Sequence, residues 1–286
     1  QRHHASYVLI LVAQSIDEDS AIIDELRQLI EPQVLRRMKH DVAELPAKHE
    51  VNDCKNIEMS TLQRTLYKQV SNDCRSLSEQ GHKGVMLTAL HSMRMICAHP
   101  LKLQEQATIK DSPKAEWLIK MLETIKQKDE KVIIFTEFRP IQVFLKRLLL
   151  ERFGLNVTTV NGDSNTNSRV GLTRQGIIDK FQEVNGFHVI ILSTVAVGFG
   201  VNIQKANHVI HYTRSWNPAK EDQATDRAYR IGQDKEVYVY YPSIAANDFE
   251  TFEIKLDKLL SSKRSLADDM LKPNVELTQE LIQSIY

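Results

Sequence analysis

No apolar run long enough to cross a bilayer is visible: the longest near the start, Tyr7 to Ala13, falls far below the roughly 20 residues that a membrane helix needs. Neither charge is in surplus, with 37 Lys+Arg against 37 Asp+Glu. Bulk positive charge therefore does not advertise nucleic-acid binding, and any grip on phosphate has to come from local patches. Cysteine is scarce. Cys54, Cys74 and Cys97 are odd in number and widely spaced, which argues against a disulfide framework and for a reducing, intracellular setting, cytoplasm or nucleoid in a bacterium and nucleus in a eukaryote. His3 and His4 precede the early apolar run and no small-residue cleavage site follows it, so a secretory leader is not expected. The chain opens on Gln1 and reads as a piece of a longer protein. What is present, 286 residues that are 42% hydrophobic and 26% charged, is enough for one or two globular domains with a real core.

The pattern changes near residue 110. Residues 16 to 105 read as mostly helical: Ser60 to Val70 and Val85 to Cys97 carry apolar residues three and four apart, and Pro32, Pro46 and Pro100 punctuate the segment. Residues 131 to 241 instead alternate short β-rich runs with helices. The runs are Lys131–Phe135, Val157–Val160, His188–Leu192, His208–Tyr212 and Glu236–Tyr241. Near-continuous apolar character in such runs predicts strands covered on both faces, hence a parallel sheet. Amphipathic stretches at Ile141–Arg152, Val170–Val184 and Pro218–Arg230 suit the crossovers, giving an α/β domain of three layers. The charged tail from Asp248 to Leu271 is again helical, with Phe249, Phe252, Leu256, Leu259, Leu260 and Leu266 as its docking side.

Ligands of such sheets gather outside the carboxyl ends of the strands. One loop there, Ser193 to Asn202, offers two hydroxyls and two glycines, Gly198 and Gly200, a chemistry suited to phosphate and also common in mere turns. Trp216-Asn217-Pro218 follows the next strand, where an aromatic either stacks on a base or seals the domain edge; packing has the larger share. Then comes Asp222 to Gln233, which sets Gln223, Arg227 and Arg230 four and three residues apart. On a helix these stack along one face, an array of two permanent cations and an amide matched to a polyphosphate. Asn217 is expected to cap that helix, Pro218 to open it and Gly232 to end it, with Ala224, Ala228 and Ile231 as its apolar side. The alternative is a solvated helix in which Asp226 pairs with Arg230. His91, Cys97 and His99 lack metal-ligand spacing, and packing is the expected role.

In order, these pieces resemble the C-terminal half of the Swi/Snf-like ATPases, the double-stranded-DNA translocases and chromatin remodellers of helicase superfamily two. Asp222 to Gln233 resembles that family's final motif, Lys131 to Phe138 its motif-four strand, Ser193 to Asn202 its motif-five loop, and Trp216-Asn217-Pro218 its Trp-Asn-Pro signature. Upstream, Glu31 to Val42 with Leu45-Pro46-Ala47-Lys48, and Arg94 to Pro100, are similar to segments at the end of the first lobe and beyond. The resemblance implies a RecA-like three-layer domain with a mainly parallel sheet over 111–243, a helical N-terminal extension over 1–110 (end of the first lobe, protrusion and linker), and brace-like C-terminal helices over 244–286. It implies Arg227 and Arg230 as arginine fingers supported by Gln223. Ser193 and Thr194, with Thr136, Arg174 and Trp216, are implied as DNA contacts, and Gly198, Gly200 and Asn202 as the loop that links DNA to ATP.

The family usually places a basic residue and then Ala-Gly-Gly after the Ser-Thr pair, where this chain has Val195-Ala196-Val197. One phosphate contact is thereby missing. Asn161-Gly162-Asp163-Ser164 replaces the usual Asp-Gly-Ser, and Tyr229 stands where His is common. No Gly-x-x-x-x-Gly-Lys-Ser/Thr loop and no Asp-Glu strand motif occurs in the 286 residues, so ATP and Mg2+ are expected to be held mainly by a first lobe outside them. Expected partners are duplex DNA, that first lobe, and proteins bound through residues 1–110; no membrane is expected. An alternative is a non-catalytic interaction module derived from such a lobe. A strand-separating RNA helicase fits the Trp-Asn-Pro and Arg-Ile-Gly-Gln signatures less well.

Overall fold

The structure, a computed structural model, describes residues 45–102, 105, 107–161, 173–194 and 201–268. Its centre is a run of strands too apolar to face water. Every residue of β3 (Lys131–Phe135) is buried, as are four of five in β5 (His188–Leu192) and all of β6 (His208–His211). With β4 (Thr159–Val160), β7 (Val237–Tyr240) and β1 (Lys48–Val51), they form a six-stranded sheet in the order β1-β7-β6-β3-β5-β4, parallel throughout. Because successive side chains point to opposite faces, the sheet feeds two cores. Val132, Ile134, Val189, Ile191 and Ile210 face one cluster, and Ile133, Phe135, Ile190, Leu192 and Val209 face the other.

The first face is covered by α3 (Pro113–Gln127), through Leu118 and Leu122, and by α4 (Arg139–Phe153), through Leu145 and Leu148. α4 stops at Gly154, whose φ of 66° allows the left-handed exit that a side chain would resist. The second face is covered by α5 (Arg174–Glu183), through Ile178 and Phe181, and by α6 (Pro218–Thr225) with the turn after it, through Ala224 and Ala228. Burying one Leu or Ile of this kind contributes roughly 1.5–3 kcal/mol. The α/β architecture expected from the alternating pattern is the one observed.

Residues 48–58, expected within a mostly helical segment, instead supply two strands. β1 extends the main sheet beside β7, and β2 (Lys55–Glu58) pairs in parallel with β8 (Ser243–Ala245). Each is four residues long with polar side chains exposed, so neither period nor hydrophobicity marks it; the partner strands nearly 200 residues away define them. After them, α1 (Thr61–Glu79) starts in a capping box of Ser60 and Gln63. α2 (Val85–Ala98) packs on α1, and both join α7 (Phe252–Asp268) in a third core that includes Tyr67, Leu90, Met93, Phe252, Leu256 and Leu260. A nearly buried ion pair, Lys114 Nζ to the Glu253 carboxylate, pins the start of α7 to that of α3. Among the described residues no helix is long and apolar enough to cross a membrane.

Two core histidines give the fold an acid limit. His211 stacks on Phe135 and Tyr241, His99 packs against Phe144, and burial lowers each pKa from 6.5 to about 4. The unfolded chain therefore takes up a proton near 6.5 that the folded chain refuses until about 4. Their contribution is intact above that window and is lost as pH falls through it. The urea midpoint should drop on going from about pH 7 to about pH 5, each histidine adding a slope of up to roughly 1.4 kcal/mol per pH unit. A midpoint that stays flat over that interval would contradict this account.

Candidate functional site

Asn217 caps α6 by accepting a hydrogen bond from the Ala219 amide at 2.9 Å, and Pro218 fills the first position. The helix nevertheless ends at Thr225, short of the expected Arg230. The reason lies outside it. The Arg227 carbonyl accepts from the Ile203 amide at 2.9 Å, and Gln233 Nε2 gathers the carbonyls of Gln204, Ala206 and Ala228 at 2.9, 2.9 and 3.2 Å. Carbonyls of Arg227 and Ala228 diverted in this way cannot carry the ladder through Arg230, and before them the amides of Arg227 and Ala228 already bond three residues back, to Ala224 and Thr225, so that residues 226–228 form a turn. Gly232, with φ of 94°, lies at the far end of this segment. Ala224 and Ala228 are buried as expected, while Ile231 is 69% exposed and belongs to no apolar stripe.

Gln223 therefore stands exposed on α6, whereas Arg227 and Arg230 hang from the turns beyond it. The three do not share one helical face. The two guanidiniums still converge. Burial, then the neighbouring Arg230 charge, lowers the Arg227 pKa, with Asp226 acting against both. Arg227 is only 9% exposed, and its Nε has no hydrogen-bond acceptor among the described residues. Arg230 Nη1 donates to the side-chain oxygen of Asn202 at 2.6 Å, which joins the end of the 193–202 loop to the arginine pair. Gly198 and Gly200, with Val195 and Val197, lie outside the described residues. A buried guanidinium with an idle donor beside a second cation is an arrangement that an anion would relieve.

The carboxyl ends of β3, β5 and β6 meet where the chain order reverses across the sheet. Thr136 is fully buried there, its hydroxyl accepting from that of Thr213 at 3.0 Å. That corrects the expected DNA contact: Thr136 ties two strand ends together and offers nothing to a phosphate. Ser193 is 4% exposed, with its amide on the Val160 carbonyl. The amide and hydroxyl of Thr194 both donate to the Glu137 carboxylate, the amide at 2.6 Å. Arg174 is buried at the first position of α5, behind the capping hydroxyl of Thr173. Trp216 packs edge-on to Phe252 with centroids 5.3 Å apart, and the Arg94 guanidinium lies 5.2 Å from its ring centre. These contacts give Trp216 a packing role at the edge of the third core, where it remains partly exposed.

Sequence reasoning missed the charged lattice behind α6. Arg214 holds both oxygens of Glu221 at 2.9 and 3.0 Å and also bonds Asp257 of α7. Arg264 of α7 reaches Glu221 at 2.9 Å and Asp222 at 3.1 Å. The Ser215 amide adds a third donor to Glu221, and both guanidiniums lie over Tyr241. Burial alone would push the Glu221 pKa up, but the charges of Arg214, His211 and Arg264 hold it below the ordinary range. Nothing in local spacing marks Arg264 as a partner of Glu221, 43 residues away.

Comparison with known proteins gives the same direction throughout. The helicase conserved C-terminal domain matches residues 113–232, and the SNF2-related domain matches residues 5–102. The Zorya protein ZorD of Escherichia coli O139:H28 is 51% identical over 269 residues, covering 91% of this chain and 25% of that protein. YwqA of Bacillus subtilis, named as an ATP-dependent helicase/translocase, is 36% identical over 99% of this chain and 30% of its own length. The Sulfolobus solfataricus SWI2/SNF2 ATPase core in complex with dsDNA superimposes with a TM-score of 0.63 at 28% identity, over 92% of this chain and 55% of that one. The chain thus spans about a quarter to a third of the length of these curated relatives.

Replacing Arg214 by Met should cost about 3–5 kcal/mol, because it strips a fully buried carboxylate of its main partner. Arg214→Lys should recover part of the loss, since it keeps the charge and forfeits the two-pronged geometry. Urea unfolding of the two variants checks the order.

Proposed function

Because the chain belongs to the Swi/Snf-like helicases of superfamily two, we propose that it forms the second RecA-like half of an ATP-driven translocase on duplex DNA. Arg227 and Arg230 serve as arginine fingers for an ATP whose phosphates are cradled by a first lobe. The observation that carries this reading is the Arg227 Nε, nearly buried beside a second cation and without an acceptor among the described residues. Two neighbouring cations repel, as the effect of Arg230 on Arg227 reflects, and charge that accumulates on a transferring phosphoryl group would offset that repulsion. ATP supplies the hydrolysable phosphate. This chain supplies positive charge, oriented by the Asn202 bond to Arg230 and by the turn that Gln233 closes.

Mg2+ falls to the first lobe in this scheme, as does the phosphate loop that the 286 residues lack. Duplex DNA would lie along the strand ends near Ser193 and Thr194, with Arg174 as a further contact. Gln223 supports the fingers, and Gly198 and Gly200 shape the loop from Ser193 to Asn202. Thr194 is the residue to watch: its two donors are held by Glu137, so a DNA phosphate would have to displace that carboxylate or approach beside it. Residues 111–243 make up most of the lobe, β1 (Lys48–Val51) adds an edge strand to its sheet, and 244–286 brace it.

Two measurements test the proposal. Arg227→Ala in the full-length parent should lower DNA-stimulated ATP turnover by roughly 10³-fold or more; unchanged turnover would favour a non-catalytic interaction module instead. Purified residues 1–286 alone should hydrolyse ATP negligibly, and a rate close to the parent's would show that the fingers need no separate phosphate-binding lobe.

A further inference from the structure

We infer that Arg264, on the C-terminal helix α7, is a positioning residue for the Arg227–Arg230 pair, acting through Glu221 and Asp222; this rests on the finger reading above. α6 is eight residues long, and its buried side chains are Pro218, Glu221, Ala224 and Thr225. Pro218 and Ala224 are small apolar groups that interlock little with a sheet, and Thr225 is held there by a single contact, its hydroxyl 2.9 Å from His211 Nε2. The angle of α6 is set by that contact at its end and, nearer its start, by the fully buried Glu221 carboxylate and the bonds that converge on it.

Hydrogen bonding at Glu221 does not depend on Arg264 alone. Glu221 already receives two bonds from Arg214 and one from the Ser215 amide. What Arg264 adds is direction. Its Nη2 reaches Glu221 at 2.9 Å, its Nε reaches Asp222 at 3.1 Å, and its Nη2 also meets the Tyr241 hydroxyl at 3.2 Å. Two adjacent carboxylates held by one planar fork fix the rotation of α6 about its axis as well as its distance from α7. Asp222 lies five residues before Arg227, so a change in that rotation is transmitted to both fingers. α7 is itself anchored in two more places, by Glu253 on Lys114 and by Asp257 on Arg214. Glu253, Asp257 and Arg264 recur at spacings of four and seven, one stripe of the helix. The C-terminal helix thus works as a rail against which the finger segment is set.

The test uses the full-length parent with ATP and duplex DNA. Arg264→Met should lower kcat about tenfold or more, as small misplacements of reacting groups do, with KM for ATP little changed. Arg264→Lys, which keeps charge and loses the fork, should fall between. In an Arg227→Ala background the Arg264→Met change should bring no further loss of kcat, although its shift in thermal midpoint should persist. A merely structural role would give the same fractional loss in both backgrounds, and that result, or a parental kcat in Arg264→Met, overturns the inference. Should Arg264→Met fail to fold, Asp222→Asn removes one of its two carboxylates at a half-exposed position; a smaller loss in the same direction is expected, and a parental kcat there is equally fatal. Unchanged turnover in Arg227→Ala alone defeats the finger reading itself. An inactive Arg227→Ala beside fully active Arg264 variants defeats the positioning role alone.

Discussion

A carboxylate sealed from water has to be answered by fixed charge, and Glu221 is such a group, with no exposed surface and two guanidiniums on it. Neutralising it draws together parts of the chain that have no apolar reason to meet: the loop after β6, the short α6, the end of β7 and the C-terminal helix. A well-packed apolar substitute can stabilise such a junction equally. It would not set a direction. Fork-shaped donors on carboxylates constrain orientation in a way that alanines on a sheet do not, and the segment that carries Arg227 and Arg230 follows directly on α6.

The sheet supplies the other constraint. Parallel pairing places the carboxyl ends of β3, β5 and β6 on one edge, and the reversal of chain order there opens the position where Thr136, Glu137, Ser193, Thr194 and Thr213 meet. The arginine pair belongs to the same side of the connectivity, since it follows β6 and is stitched back to the 193–202 loop by Asn202.

Strands β3 to β7 of the main sheet were legible because burial on both faces leaves short β-branched runs such as Val-Ile-Ile between turn residues. Helices α1, α2, α4 and α5 were legible through their three-and-four spacing, and the start of α6 through Asn217 and Pro218. Its end was not, since Gln233 and Ile203 draw carbonyls away from the ladder only once the chain has folded back. β1 and β2 escaped notice for a related cause: four mostly exposed residues acquire strand geometry from a partner far away in sequence. Thr136 carried the right chemistry for a nucleic-acid contact and is fully buried, while Trp216 is partly buried against Phe252 and Arg94.

Local sequence by itself determined that this is an α/β domain with a buried parallel sheet, and that a glutamine and two arginines follow its fourth core strand, because period, composition and spacing are properties of neighbours along the chain. Tertiary structure decided which of those polar groups face outward, that Arg227 keeps an idle donor, and that α7 holds α6 through Glu221. Burial and long-range ion pairing depend on distance through space, and spacing along the chain does not encode that distance.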